Sequence, residues 1–119
     1  MAEHALRYLT APALVESRRL LPGVLIAVEE STSEPLHITI VGGKRDAGAR
    51  GLYAQGTAWP VFYKRVEWWD RDEGPLPNPD VQYPALGKVA AFLCSNNTCS
   101  SPMFSPEVLN RRLHAFALE

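Results

Sequence analysis

Cys94 and Cys99 are the only cysteines in the chain, and the four residues between them, Ser95-Asn96-Asn97-Thr98, favour a turn across which the two sulfurs can meet. A dithiol oxidoreductase motif places two residues between its cysteines, so that a helix N-terminus lowers the thiolate pKa. The spacing here does not allow that arrangement. Zinc needs four ligands, and the chain adds only His4, His37 and His114 to one cysteine pair, so no closed tetrahedral site can be assembled and no metal is expected. The favoured reading is a pair of reduced, partly buried thiols that pack as small apolar groups. A reversible disulfide is the alternative, and Cys94 and Cys99 are the redox candidates under it.

Other constellations carry less. Val41-Gly42-Gly43-Lys44-Arg45-Asp46 ends an apolar run and precedes a helical one, so the amides at Gly42 and Gly43 with the Lys44 ammonium are a weak candidate for holding an anion. The glycines match neither the P-loop nor the dinucleotide fingerprint, and a tight turn explains them better. Trp59, Trp68 and Trp69, with Tyr53, Phe62 and Tyr63, concentrate aromatic surface in mid-chain. Adjacent Trp68 and Trp69 point to opposite faces of a strand, so one of them lacks cover unless a helix or another domain packs on it. Exposed aromatics of this kind mark interfaces, and a carbohydrate-binding surface is the alternative. No nucleophile–base–acid set is legible: the serines lack an elbow context, His37 lies inside a strand and His114 on an amphipathic helix. Asn96-Asn97-Thr98 matches a glycosylation sequon but reads as a turn.

The elements that would position these residues belong to a globular chain. Of 119 residues, 46% are hydrophobic and 21% charged, with a formal net charge of −1 and basic residues dispersed from Arg7 to Arg112. That balance excludes a disordered polymer and supplies no field for a phosphate backbone, so no nucleic-acid partner is expected. Apolar runs such as Val24 to Val28 and Val89 to Cys94 are far short of the ~20 residues that span a bilayer, and no secretory leader is legible; the expectation is a cytoplasmic protein without a membrane partner.

Ala5, Leu6 and Leu9 recur at helical spacing, Pro12 opens a second helix carrying Leu14, Val15 and Leu20-Leu21, and Pro22 opens a third over the Val24–Val28 run. Ser31 to Pro35 is a loop. Leu36 to Val41 is a core strand, Asp46 caps a helix over 47–55, and 61–69 and 88–94 supply two more strands. Between those two, prolines 75, 77, 79 and 84 exclude a regular helix and predict a long surface loop. Ser105-Pro106-Glu107 starts a last helix whose apolar face is Val108, Leu109, Leu113 and Phe116.

The run Ala91-Phe92-Leu93-Cys94-Ser95-Asn96-Asn97-Thr98-Cys99-Ser100-Ser101-Pro102, followed by Ser105-Pro106-Glu107-Val108-Leu109, resembles the tail of the YyaL-type, spermatogenesis-associated thioredoxin-like proteins. Leu36 to Gly42 is similar to that family's strand ending in glycine, and Leu21-Pro22-Gly23 to the segment before it. The resemblance implies that the chain is the C-terminal part of a larger protein with a thioredoxin-like domain and a toroid similar to six-hairpin glycosidases. Neither lies in these residues, so any redox or sugar activity those domains carry is not transferred to residues of this chain.

The combined expectation is one α/β domain over 1–119: a helical lead-in over 1–34 and a βαβ-type module over 35–119, with a small, mainly parallel sheet of three to four strands and flanking helices. Its expected role is a structural and interaction module, without cofactor and not itself an enzyme, whose partner is the remainder of the parent polypeptide. The alternatives are a thiol–disulfide accessory domain using Cys94 and Cys99 and a carbohydrate surface using Trp59, Trp68 and Trp69.

Overall fold

The computed structural model describes residues 2–17, 22–61, 63–76, 81–96 and 98–116. The chain divides into two compact units, Met1–Pro35 and Leu36–Glu119.

The first unit holds three helices, α1 (Ala2–Leu9), α2 (Pro12–Ser17) and α3 (Pro22–Thr32). Pro12 and Pro22 stand at first helical positions, where the missing N–H costs nothing. The Val24–Val28 run is therefore helical, as the proline before it predicts. At the end of α3 the hydroxyls of Ser31 and Thr32 fold back and donate to the Val28 carbonyl of the preceding turn at 2.8 and 2.9 Å. No residue of α2 or α3 is buried. Leu20 and Leu21, expected on the apolar face of the second helix, lie outside the described residues.

The second unit contains β1 (Leu36–Val41), α4 (Ala47–Ala58), β2 (Lys64–Trp69), a short 3-10 turn over Arg71–Glu73, β3 (Ala90–Ser95), β4 (Thr98–Cys99) and α5 (Pro106–Phe116). The sheet order is β2-β1-β3-β4. β1 and β2 run parallel, joined through α4 as a βαβ unit, whereas β3 runs antiparallel to β1 and β4 antiparallel to β3. The sheet is thus mixed, with one parallel pair, and not mainly parallel as the alternation of elements suggested. The reason lies in the proline-rich segment after β2. Register pairs Val41 with both Trp69 and Ala90, so β2 ends and β3 begins at the same end of the sheet. A parallel third strand requires an element that carries the chain back along the sheet. The prolines disfavour a crossover helix there, and the chain re-enters the sheet at the end where β2 leaves it, so β3 runs the other way.

One face of the sheet forms the main core. Ile38 and Ile40 of β1, fully buried, pack with Ala91 and Leu93 of β3, with Ala49 and Leu52 of α4 and with Leu109 and Leu113 of α5. Asp46 caps α4, its side chain accepting from the amides of Gly48 at 2.7 Å and Ala49 at 3.2 Å. Gly56 lets α4 lie close to the sheet: a Cβ there would stand 3.1 Å from Ile38 Cγ2 and 3.4 Å from Val66 Cγ1. Lys64 closes the other end of the helix, its ammonium donating to the carbonyls of Thr57, at 2.6 Å, and Trp59, and burial lowers its pKa.

Among the described residues, this unit places no helix of its own on the opposite face. A second cluster of Val41, Ala90, Phe92 and Cys94 is covered there by Trp69 and by Tyr83 from the proline-rich segment. The Tyr83 ring packs at a tilt against Phe92 at 4.9 Å and Trp69 at 6.2 Å, and Arg71 holds the segment by donating to the carbonyls of Tyr83 and Pro84 while lying 4.5 Å above the Trp69 ring.

Candidate functional site

Cys94 and Cys99 are joined in a disulfide, not held as the two reduced thiols favoured on composition. Local geometry explains the pairing. The Ser100 amide donates to the Leu93 carbonyl at 2.7 Å and the Leu93 amide to the Ser100 hydroxyl at 3.1 Å, so hydrogen bonds occupy that neighbouring position of the ladder. Cys94 and Cys99 face each other at the next position, a non-hydrogen-bonded pair, where antiparallel strands come nearest. Their Cα atoms are 4.1 Å apart. Asn96 adopts φ 48 in the turn between them, a conformation asparagine tolerates better than most residues.

The two cysteines differ in burial. Cys94 sits in the second cluster with 9% of its surface accessible, whereas Cys99, on the two-residue strand β4, is exposed. Register places Arg65, His37, Cys94 and Cys99 in one line across β2, β1, β3 and β4. Directly paired residues share a face of the sheet, with Cβ atoms roughly 5 Å apart. Within reach of the bond stands Tyr83: its hydroxyl donates to Thr39 Oγ1 at 2.8 Å and lies 3.9 Å from Cys94 Sγ. Burial raises the Tyr83 pKa, the Thr39 hydrogen bond lowers it, and the Glu67 charge raises it further; the net direction is up, so the group remains a donor through the physiological range.

The three residues read as an anion candidate are not gathered on one ligand position. Gly42 and Gly43 line a cleft of about 430 Å³ at the end of β1, together with Arg71, Lys88 and the 84–87 segment. Lys44 does not line it: its ammonium pairs with Glu73 at 2.5 Å and its amide donates to Asp70 Oδ2 at 2.8 Å. Hydrogen bonds from the amides of Lys44 and Asp72 hold the Asp70 carboxyl below its ordinary pKa. Two helix N-terminal amides that an anion would use are taken by Asp46. Gly42 has a steric reason to be glycine, since a Cβ would lie 2.8 Å from Val89 Cγ1.

The tryptophans are likewise dispersed. Trp59 is 8% accessible in the main core, edge-on to His114 at 4.6 Å. Trp68 is half-buried against Tyr53 of α4, 4.9 Å between ring centres, and its indole donates to the Gly42 carbonyl at 2.9 Å. Trp69, on the other face, donates to the Gly74 carbonyl at 3.0 Å. Each adjacent tryptophan finds cover inside the unit, Trp68 from a helix and Trp69 from the proline-rich segment.

Sequence reasoning set His37 aside as a strand residue and gave Tyr83 no role. The period-two alternation of β1 assigns His37 to the face of Thr39 and Val41, but only the β1–β3 register sets it across from Cys94. Among the described residues, no cluster of three or more His, Cys, Asp or Glu could hold a metal, and no helix is long and apolar enough to cross a membrane. No family model, no curated protein and no solved structure matches the chain.

Proposed function

We propose that this chain is a non-catalytic structural and interaction module of a larger protein of the thioredoxin-like, six-hairpin-glycosidase-like type, and that its N-terminal helices dock on the remainder of that polypeptide. The supporting observation is α3. Val24-Leu25-Ile26-Ala27-Val28 is apolar on every side of the helix, the pattern of a buried segment, yet none of its residues is buried and Leu25 and Ile26 are 51% and 43% accessible. Val15 of α2 and Tyr8 of α1 add to this apolar exposure at 43% and 64%. With the remainder of the parent expressed separately, the wild-type chain is expected to bind it, and Leu25→Glu combined with Ile26→Glu to weaken binding at least tenfold, from about 2 kcal/mol of burial lost per side chain. Titration calorimetry reads both. No binding by the wild-type chain would overturn the proposal.

A second reading, thiol–disulfide exchange with the parent's thioredoxin-like domain, is favoured by the bonded cysteine pair, one residue of which is exposed. Exposed disulfides are in general more reducible than buried structural ones. Alkylation and mass spectrometry across a glutathione series are expected to give a transition from bonded to free Cys94 and Cys99 within the cytosolic range. A bond that remains closed throughout would remove this reading.

A further inference from the structure

The inference rests on the exchange reading. We propose that exchange at this disulfide is directional, with Cys99 the sulfur attacked by an external protein dithiol and Cys94 the leaving group, and that Tyr83 is the positioning residue that receives the Cys94 thiolate.

Access sets the direction. Cys99 lies exposed on β4, whereas Cys94 is 9% accessible beneath the segment that carries Tyr83. A thiolate of the partner attacks Cys99 Sγ and a mixed disulfide forms. The Cys94–Cys99 bond breaks, and its electron pair leaves on Cys94 Sγ. The partner's second thiol loses its proton to solvent and attacks the partner's own sulfur in the mixed disulfide, releasing the Cys99 thiolate. The partner dithiol is oxidised to a disulfide with loss of two electrons, which this chain's cysteine pair gains.

A thiolate formed in an apolar cluster is costly unless a donor meets it. The Tyr83 hydroxyl is the donor at hand, 3.9 Å from Cys94 Sγ and turned to Thr39 Oγ1 while the bond is closed. A disulfide sulfur accepts weakly and a thiolate strongly. Thr39, fully buried, both donates and accepts through its hydroxyl, so Tyr83 can turn its O–H to Cys94 while Thr39 donates to Tyr83 Oη. This change of hydrogen-bond partner is a reversal of two hydroxyl rotors. Among the described residues, ionisable groups on this face include His37 on β1, Arg65 and Glu67 on β2, and Arg71, which lies over the Trp69 ring and donates to the Tyr83 carbonyl.

The test uses the full chain and dithiothreitol as the dithiol probe. The wild-type bond is expected to open, and Tyr83→Phe, which keeps the ring between Trp69 and Phe92, to open about tenfold more slowly, the size of one hydrogen bond to a charged group. In a Cys99→Ser background, where Cys94 is the single thiol, Tyr83→Phe is also expected to move the midpoint of the iodoacetamide alkylation profile to higher pH, which a purely structural role for the tyrosine would not do. With reduced glutathione as a one-thiol probe of the wild-type chain, peptide mass spectrometry is expected to find the adduct on Cys99. A wild-type bond that resists dithiothreitol overturns the exchange reading itself. Equal opening rates and equal alkylation profiles overturn the role of Tyr83 alone. An adduct on Cys94 overturns the direction and requires no variant to show it.

Discussion

Ile38→Ala is expected to lower the unfolding free energy of residues 36–119 by about 3–4 kcal/mol, the usual cost of emptying a sealed aliphatic site. Ile38 is fully buried in the central strand β1, paired with Val66 on one side and Leu93 on the other, and roofed by Gly56 of α4. The site collapses poorly, because two strands and a helix surround it and none can move alone. A unit of this size is worth roughly 5–10 kcal/mol in total, so the substitution removes a large fraction of its stability. All three tryptophans lie in this unit. Urea unfolding followed by tryptophan fluorescence therefore reports it without interference from the N-terminal helices, and an unchanged midpoint would contradict the packing described.

Replacing both cysteines, Cys94→Ala with Cys99→Ala, is expected to cost about 2 kcal/mol and to leave a folded protein. The cross-link closes a loop with a sequence separation of 5, and the chain-entropy account gives about 2 kcal/mol for so short a loop. The turn is held independently by the Leu93–Ser100 hydrogen bonds and, beyond it, by the two backbone bonds between Ala91 and Met103 at 2.8 and 2.9 Å. The same urea experiment measures the loss. A variant that fails to fold would make the bond an obligatory staple, and would count against both the interaction-module and the exchange readings.

Much of the local structure is legible in the residues themselves. Pro12, Pro22 and Pro106 open helices, Asp46 caps α4, and the β-branched run Leu36 to Val41 is a strand over those same bounds, because each signal acts within a few residues. The other strands begin a few residues later than expected, at Lys64 and Ala90, since aromatic and apolar composition does not mark where pairing starts. The pairing of Cys94 with Cys99 was an open alternative in the sequence, for a turn of four residues permits a bond without requiring one.

Direction, register and cover were decided only by the tertiary structure. That β3 opposes β1 follows from where the proline-rich segment returns to the sheet, a property of the chain path and not of any strand's composition. That Tyr83 reaches Thr39 and Cys94 depends on that segment folding over the second face of the sheet, with contacts between residues 44 and 11 positions apart. The sequence determined the elements, their caps and the periodicity that gives each strand two faces. Which residues meet across those faces was set by strand order and register, because contacts distant in the chain are selected by the packing of the whole unit and leave no local signature.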